Sequence, residues 1–209
     1  MIDIAFLVTA FAALFVVIDP IGLTPIFVAL TQGMSATRRR ALALRACGIS
    51  FALLLVFALF GEAVLGFIGI SMPAFRVAGG ILLFLTALDM LFERRQKRRR
   101  DQADDDEEED DDDPSVFPLA IPLIAGPGAI ATIILLVGQG EGLVGFVAIL
   151  GVLLAVLALV LTLFLGAGLL ERLLGKVGIN VVTRLLGMLL AALSVQFVLD
   201  GLRSFGLGG

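Results

Sequence analysis

The chain contains no histidine, tryptophan or tyrosine, and its single cysteine is Cys47. The absence of histidine excludes His-based acid–base catalysis, His-type zinc sites and haem ligation by histidine, so any proton relay would depend on carboxylates. A lone cysteine in an apolar stretch excludes an intrachain disulfide and does not indicate a metal cluster. Phenylalanine is the one aromatic residue left for anchoring at a membrane interface.

Apolar sequence is abundant: 59% of the 209 residues are hydrophobic, and the mean hydropathy is +1.08. Runs of about twenty apolar residues recur, and each is long enough to cross a bilayer as a helix. The N-terminus carries Asp3 and no basic region, so the first run is predicted to be a retained membrane helix. The sequence predicts an all-α integral membrane protein with six transmembrane segments, at 4–31, 42–66, 72–92, 117–138, 143–169 and 181–202.

A charged linker separates the first three segments from the last three. Residues 94–113 hold 6 basic and 11 acidic residues, which leaves 9 basic and 8 acidic residues elsewhere. The net charge of −4 is therefore a property of the linker, and blocks of like charge predict disorder. The predicted organisation is a first three-helix repeat at 1–93, a cytoplasmic linker at 94–116 and a second, inverted repeat at 117–209.

The two halves share an interrupted-helix motif. Residues 18–22 and residues 125–128 each place proline and glycine inside an apolar segment, and in both copies a glutamine lies 12 residues after the proline. A second shared pattern is an arginine followed by a glycine and a hydroxyl at equal spacings: Arg76, Gly79 and Thr86, and Arg184, Gly187 and Ser194. Paired interruptions at matching positions of two halves are the best sequence indicator of a transport site.

Lysine and arginine are concentrated in the loop between segments 1 and 2, in the linker, and in the loop between segments 5 and 6. If six helices cross, these loops share one side, which the positive-inside rule assigns to the cytoplasm, with both termini outside. Three helices per repeat is an odd number, so the second repeat is inverted. Arg76 is then predicted near the outer end of segment 3 and Arg184 near the inner end of segment 6.

Asp19 lies within the first interruption, at a membrane depth where a charged group costs at least ~2.5 kcal/mol. Pro20 and Gly22 disrupt the helix, and Pro25 suits the first turn of a new half-helix. Backbone groups freed there need protein, water or ligand as partners. Asp19 is interpreted as a proton- or cation-binding group or a contact for a substrate ammonium; the alternative is a helix cap.

The second interruption has no acid, because Gly126 stands where Asp19 stands. The free N–H groups and the positive end of the half-helix that starts near Ala129 favour a carboxylate. Thr132 adds a hydroxyl one turn further on. The alternative is that the glycines, Gly128 included, only permit close helix packing.

Thr86 and Ser194 occupy equivalent positions in segments 3 and 6. Their pairing favours a role in lining a site, whereas each alone would be explained by a hydrogen bond to the carbonyl one turn earlier. Arg76 and Arg184 are candidates for gating or substrate contact, and the alternative is a structural charge that snorkels or pairs.

The motifs Asp19–Phe27, Arg76–Gly80 and Pro118–Thr132 resemble the MarC/SnatA family of six-helix inner-membrane proteins. The resemblance covers essentially the whole chain outside the linker. Members are commonly labelled as related to multiple antibiotic resistance, and some are described as carriers of small neutral amino acids such as glycine and alanine, coupled to a cation gradient. The resemblance implies that substrate class here. Leu23 and Thr24 stand where many relatives have Asn and Ile, which bears on specificity if that Asn contacts substrate.

The sequence therefore predicts a secondary transporter of the cell inner membrane that works by alternating access and symport, with its substrate between the two breaks. No cofactor is expected beyond a coupling proton or sodium ion, and no metal or nucleic acid. The expected partners are the amino acid and the lipid bilayer, and assembly into a homo-oligomer is left open. The predicted substrate-binding residues are Asp19, Gly22, Thr24, Thr86, Gly126, Gly128, Thr132 and Ser194, with Asp19 also the site of the coupling ion.

Two rival functions remain at this stage. One is a cation channel or metal-ion permease, in which Asp19 and unwound carbonyls coordinate an ion. The other is a non-transporting scaffold whose charged linker docks a partner. An enzyme is not expected, because the chain has no histidine, no serine in a nucleophile-elbow setting and no acidic cluster at metal-ligand spacing inside the membrane.

Overall fold

A computed structural model describes residues 4–92, 94, 113–140 and 142–206. Every regular element in these ranges is helical, as the sequence predicted. The elements are α1 (Ile4–Ile18), α2 (Pro20–Leu30), α3 (Ala36–Ile68), α4 (Met72–Leu91), the double-proline segment (Ser115–Ile124), α5 (Pro127–Val137), α6 (Gly142–Leu165) and α7 (Ala167–Ser204).

Five stretches are long and apolar enough to cross a membrane: Ile4–Leu30, Ala36–Ile68, Met72–Leu91, Gly142–Leu165 and Val177–Ser204. The double-proline segment and α5 form a sixth candidate, bent by 57°. The six predicted segments correspond to these five spans and this bent pair. Most of the predicted linker, and with it the expectation of disorder, lies outside the described residues. Its last two residues, Ser115 and Val116, already belong to the double-proline segment.

Helix boundaries follow local chemistry. Ser35 and Ser71 cap α3 and α4, because each Oγ accepts a backbone N–H of the first turn, from Arg38 and Ala74 respectively, at 3.3 Å. The left-handed Gly69, at φ 85°, ends α3. The chain therefore turns sharply from α3 into α4 with its free backbone groups satisfied.

Helices α4 and α7 run antiparallel along a seam of glycines. A Cβ added to Gly80 of α4 would lie 2.8 Å from the Ser194 carbonyl oxygen. One added to Gly187 of α7 would lie 3.3 Å from the Ala87 carbonyl oxygen, and one on Gly201 would lie 3.0 Å from the Pro73 carbonyl oxygen. Small residues let membrane helices approach to backbone contact, and here they do so along most of α4.

The aromatic rings of Phe27, in α2, and Phe164, in α6, stack at one end of the bundle, which we call the linker end. Their centroids are 4.2 Å apart. The Arg39 guanidinium lies 5.6 Å from the centre of the Phe27 ring, and its Nε donates to Thr31 Oγ1 at 2.8 Å. These contacts join the start of α3 to the last turns of α2 and α6.

Asp113, the last residue of the acidic run, forms an ion pair with Arg45 of α3 at the linker end. Partial burial raises the pKa of the Asp113 carboxyl, but hydrogen bonds from the N–H and hydroxyl of Ser115 and the positive charge of Arg45 outweigh it, so the pKa is lowered. The acid therefore stays ionised and anchors the start of the double-proline segment.

The bent pair crosses the bundle alongside α3. Asp113, two residues before it, lies beside Arg45. Further on, Ile134 lies against Gly61, where an added Cβ would be 2.5 Å from Ile134 Cγ1. Arg45 and Gly61 are separated by about 24 Å of helix. Within the bundle, the bent pair therefore runs from the linker end towards the other end, and the second break is an interruption along this path.

The glycine seam makes a stability prediction. Gly80→Ala would place a methyl group 2.8 Å from the Ser194 carbonyl oxygen and 3.0 Å from the Val198 nitrogen, and backbone atoms cannot move aside without shifting α7. We expect a loss of about 1–3 kcal/mol in the free energy of unfolding in detergent, as for other overpacked cores. In Gly48→Ala, the matched control, the methyl group would meet nothing within 4 Å. Equal melting temperatures for the two variants would contradict the seam.

Candidate functional site

The first break is a kink at one residue, Asp19. Its backbone is left-handed, at φ 56° and ψ 63°, and the residue is 1% exposed. Backbone hydrogen bonding continues through the break: Asp19 N–H donates to the Phe15 carbonyl at 2.9 Å, and Leu23 N–H donates to the Asp19 carbonyl at 3.0 Å. There is no unwound stretch here.

The sequence interpretation placed Pro25 in the first turn of the second half-helix, and this is wrong. Helix α2 begins at Pro20, and Pro25 lies inside it. Pro20 occupies the first helical position, where a missing N–H is not needed, and the Asp19 side chain caps the turn that follows. Pro25 then removes a single donor from a helix that has already started.

The Asp19 carboxylate folds over the first turn of α2. Its Oδ1 accepts the N–H of Gly22 at 3.1 Å. A Cβ on Gly22 would overlap Oδ2 and lie 2.8 Å from the carboxyl carbon, so no other residue leaves room for this cap. Asp19 is thus a helix cap, and Gly22 is the residue that permits it.

The second break leaves its helix without a cap. Gly126, at the cap position of α5, has an extended backbone, and no side chain bonds the first turn. A Cβ on Gly126 would lie 2.5 Å from the Pro122 carbonyl oxygen, which excludes a capping side chain there. Among the described residues, no hydrogen bond uses the N–H of Gly128 or Ala129. The positive end of α5 therefore presents two free donors, of which the one on Ala129 is buried and the one on Gly128 is on a half-buried residue.

Residues from α1 and α4 cover the start of α5. A Cβ on Gly128 would lie 3.1 Å from Val17 Cγ1, 3.6 Å from Leu83 Cδ2 and 3.9 Å from Thr86 Oγ1. Val17 is two residues before Asp19, so the structure places the two breaks close to each other, with Thr86 beside Gly128. Val17 and Leu83 were missed, because an apolar residue in an apolar helix carries no signal of its own.

The predicted hydroxyls all bond their own helices. Thr24, Thr86 and Thr132 each donate to the carbonyl four residues earlier, at 2.9, 3.0 and 2.8 Å, and Ser194 donates to the Ala191 carbonyl at 2.7 Å. For Thr86 and Ser194, hydrogen bonds of this kind within their own helix are the alternative that the sequence analysis named. Because each hydrogen is used internally, each oxygen offers only its lone pairs to another group.

Three predicted residues lie away from the start of α5. Ser194 lies on the seam, against Gly80. Arg76 is near the end of α4 that packs on Gly201, and its Nε is buried without a hydrogen-bond partner among the described atoms. Arg184 is exposed and three residues before Gly187, near the linker end. The two arginines thus lie towards opposite ends of the bundle.

These features define an integral membrane protein of apolar crossing helices, with two interrupted segments whose breaks meet inside the bundle. The chain belongs to the MarC family: the family model for the MarC family integral membrane protein matches residues 4–205. The resemblance seen in the sequence is confirmed.

Relatives come from archaea and bacteria. The UPF0056 membrane protein MJ1677 of Methanocaldococcus jannaschii is 36% identical, over 96% of this chain and 98% of its own length. YvbG of Bacillus subtilis is 38% identical, over 95% of both chains. The UPF0056 inner membrane protein YhgN of Escherichia coli is 34% identical, over 94% of this chain and 96% of its own. No solved structure matches the chain.

Proposed function

We propose that this protein is a secondary transporter of small neutral amino acids of the glycine and alanine class, driven by a coupled cation. The uncapped start of α5 beside the Asp19 break, where Gly128 is half-buried and Ala129 is buried, carries this proposal. An unpaired buried N–H costs about 1–3 kcal/mol, and a carboxylate is a natural acceptor at a helix N-terminus. The start of α2 has such an acceptor in Asp19; the start of α5 would receive one from the substrate.

The surroundings of α5 suit the rest of a zwitterion. Thr86 Oγ1 lies near Gly128 and, having donated its hydrogen to the Leu82 carbonyl, offers lone pairs that an ammonium group can donate to. Asp19 supplies negative charge at the neighbouring break, either for the ammonium or for a coupling proton or sodium ion. The close approach of Val17 to Gly128 disfavours a large side chain there.

Two observations support inverted repeats as the transport machinery. Helices α2 and α5 each begin with a proline and each contain 11 residues. An offset of 108 residues relates Arg76 to Arg184. With the same offset, the contact of Gly80 with Val198 maps, within one residue, onto the contact of Gly187 with Met90. We infer a pseudo-two-fold axis across the α4–α7 seam, about which the halves rock to alternate access.

The same bundle supports the predicted sidedness. The start of α3, the last turn of α6 and Asp113 meet at the linker end, and each adjoins one of the three basic loops. The positive-inside rule favours placing it in the cytoplasm of an inner membrane, with both termini outside.

Counterflow of labelled alanine into proteoliposomes tests the proposal, with and without sodium and proton gradients. We expect unlabelled alanine and glycine to compete. Alaninamide, which lacks the carboxylate, and N-acetylalanine, which lacks the ammonium, should compete at least about 10-fold less well, because each leaves a buried polar group of the site unpaired. Correctly folded protein that exchanges no amino acid would refute the proposal, and a steady ionic conductance would favour the channel instead.

A further inference from the structure

We propose that Val17 and Leu83 set the upper size limit of the transported side chain. This inference rests on the proposed function, and it assigns specificity to two residues that no sequence motif marks. Both are buried, with exposures of 2% and 0%. They come from different helices, α1 and α4, and their methyl groups converge on the first turn of α5.

The position of the free donors fixes where a substrate side chain must lie. A carboxylate bonded to the N–H of Gly128 or Ala129 keeps the α-carbon of an amino acid within about 5 Å of the donor nitrogen. The apolar atoms nearest to a Cβ placed on Gly128 are Val17 Cγ1, at 3.1 Å, and Leu83 Cδ2, at 3.6 Å. A substrate held there is within reach of these two residues, and we place its side chain against them.

The two residues and Thr86 form a set of three contacts. Leu83 and Thr86 are three residues apart on α4 and so share one face of that helix. The face offers an apolar surface and a hydroxyl acceptor side by side, opposite the donors of α5. A zwitterion would be oriented by carboxylate to α5, ammonium to the Thr86 oxygen, and side chain to Leu83 and Val17.

The side chain of Val17 is more rigid than that of Leu83. A β-branched side chain in a helix has essentially one χ1 rotamer. Val17 also lies two residues before Asp19, whose side chain caps α2. The Val17 side chain therefore has little freedom to move away from a substrate. Leu83 has more rotamers, and it is the wall that repacks more readily. Shortening either residue should enlarge the space, and adding a methyl group at Gly128 should reduce it.

The test is a competition profile. For Leu83→Ala and Val17→Ala, we measure how well glycine, alanine, valine and leucine inhibit alanine counterflow. The inhibition constant of valine relative to alanine should fall at least about 10-fold, since one methylene in an apolar pocket is worth 10-fold or more. Leu153→Ala, the same change at a 0% exposed residue of α6, should leave the ratio at its wild-type value.

Gly128→Ala reduces the space for the substrate side chain instead of enlarging it. This variant tests the inference if Leu83→Ala and Val17→Ala do not fold. Its new methyl group would lie 3.1 Å from Val17 Cγ1. The inhibition constant of alanine relative to glycine should therefore rise at least about 10-fold. An active Leu83→Ala or Gly128→Ala variant with wild-type selectivity would overturn the inference and leave the transporter proposal standing. A wild-type protein without amino-acid exchange would refute the proposed function itself.

Discussion

Gly22→Ala should lower the free energy of unfolding by about 2–4 kcal/mol, combining the loss of a helix cap with overpacking. The new methyl group and the Asp19 carboxylate cannot occupy the same space, because the added Cβ would overlap Oδ2. The carboxylate must then give up its hydrogen bond with the N–H of residue 22, so α2 loses its cap while the carboxylate stays buried. Thermal unfolding in a mild detergent, followed by circular dichroism, measures the effect.

A double-mutant cycle shows whether the carboxylate is the cause. Asp19→Ala removes the group that a methyl at position 22 would strike. In that background, Gly22→Ala should lower the free energy of unfolding little. The higher helix propensity of alanine even favours the folded state by up to about 1 kcal/mol. Any strain of alanine in the left-handed backbone of position 19 appears on both arms of the cycle and cancels. The expected coupling is at least about 1 kcal/mol. Additive effects would mean that the clash lies elsewhere.

Asp19→Asn should abolish most transport while leaving the fold intact. Asparagine tolerates the left-handed backbone, and its amide oxygen still accepts the N–H of Gly22, so the cap remains and the charge is lost. If that charge holds the ammonium or the coupling cation, exchange should fall at least about 30-fold, the equivalent of the ~2 kcal/mol lost when one partner of a buried charge pair is truncated. Alanine counterflow and the melting temperature are measured on the same preparation.

The matched control is Asp200→Asn, the same change in α7. Asp200 Oδ1 accepts a hydrogen bond from Gln196 Nε2 at 2.9 Å, and it lies 3.8 Å from a guanidinium nitrogen of Arg203. Asp200 is near the end of the bundle opposite the linker end. Transport by that variant should stay near the wild-type rate. Full transport by Asp19→Asn would reduce Asp19 to its capping role and remove it from the coupling mechanism.

The breaks and the crossing segments were predictable because their signals are local. Twenty-residue apolar runs, a proline after Asp19 and a proline between two glycines act through the backbone of their own segment. The start of α2 was not predictable in the same way, because Pro20 and Pro25 are both acceptable first-turn residues. The side chain of Asp19 decides between them, and its conformation depends on the missing Cβ of Gly22.

The residues that cover α5 could not be found from sequence for a different reason. Val17 and Leu83 resemble dozens of other apolar residues in composition and spacing, and only tertiary proximity separates them. Thr86 was found because it recurs in the second half as Ser194, yet the structure places these two differently: Thr86 near Gly128, and Ser194 on the seam. The repeated spacing identified the two equivalent positions along their helices. Their neighbours depend on tertiary packing, which differs between the two halves.

The α4–α7 seam also constrains the order in which this protein can be completed. Helix α4 leaves the ribosome about one hundred residues before the part of α7 that contacts Gly80, around Ser194 and Val198. Until then its glycine face has only lipid or a temporary neighbour against it. The two halves therefore cannot mature one after the other, and the core of the first half becomes complete only when the last helix has been inserted.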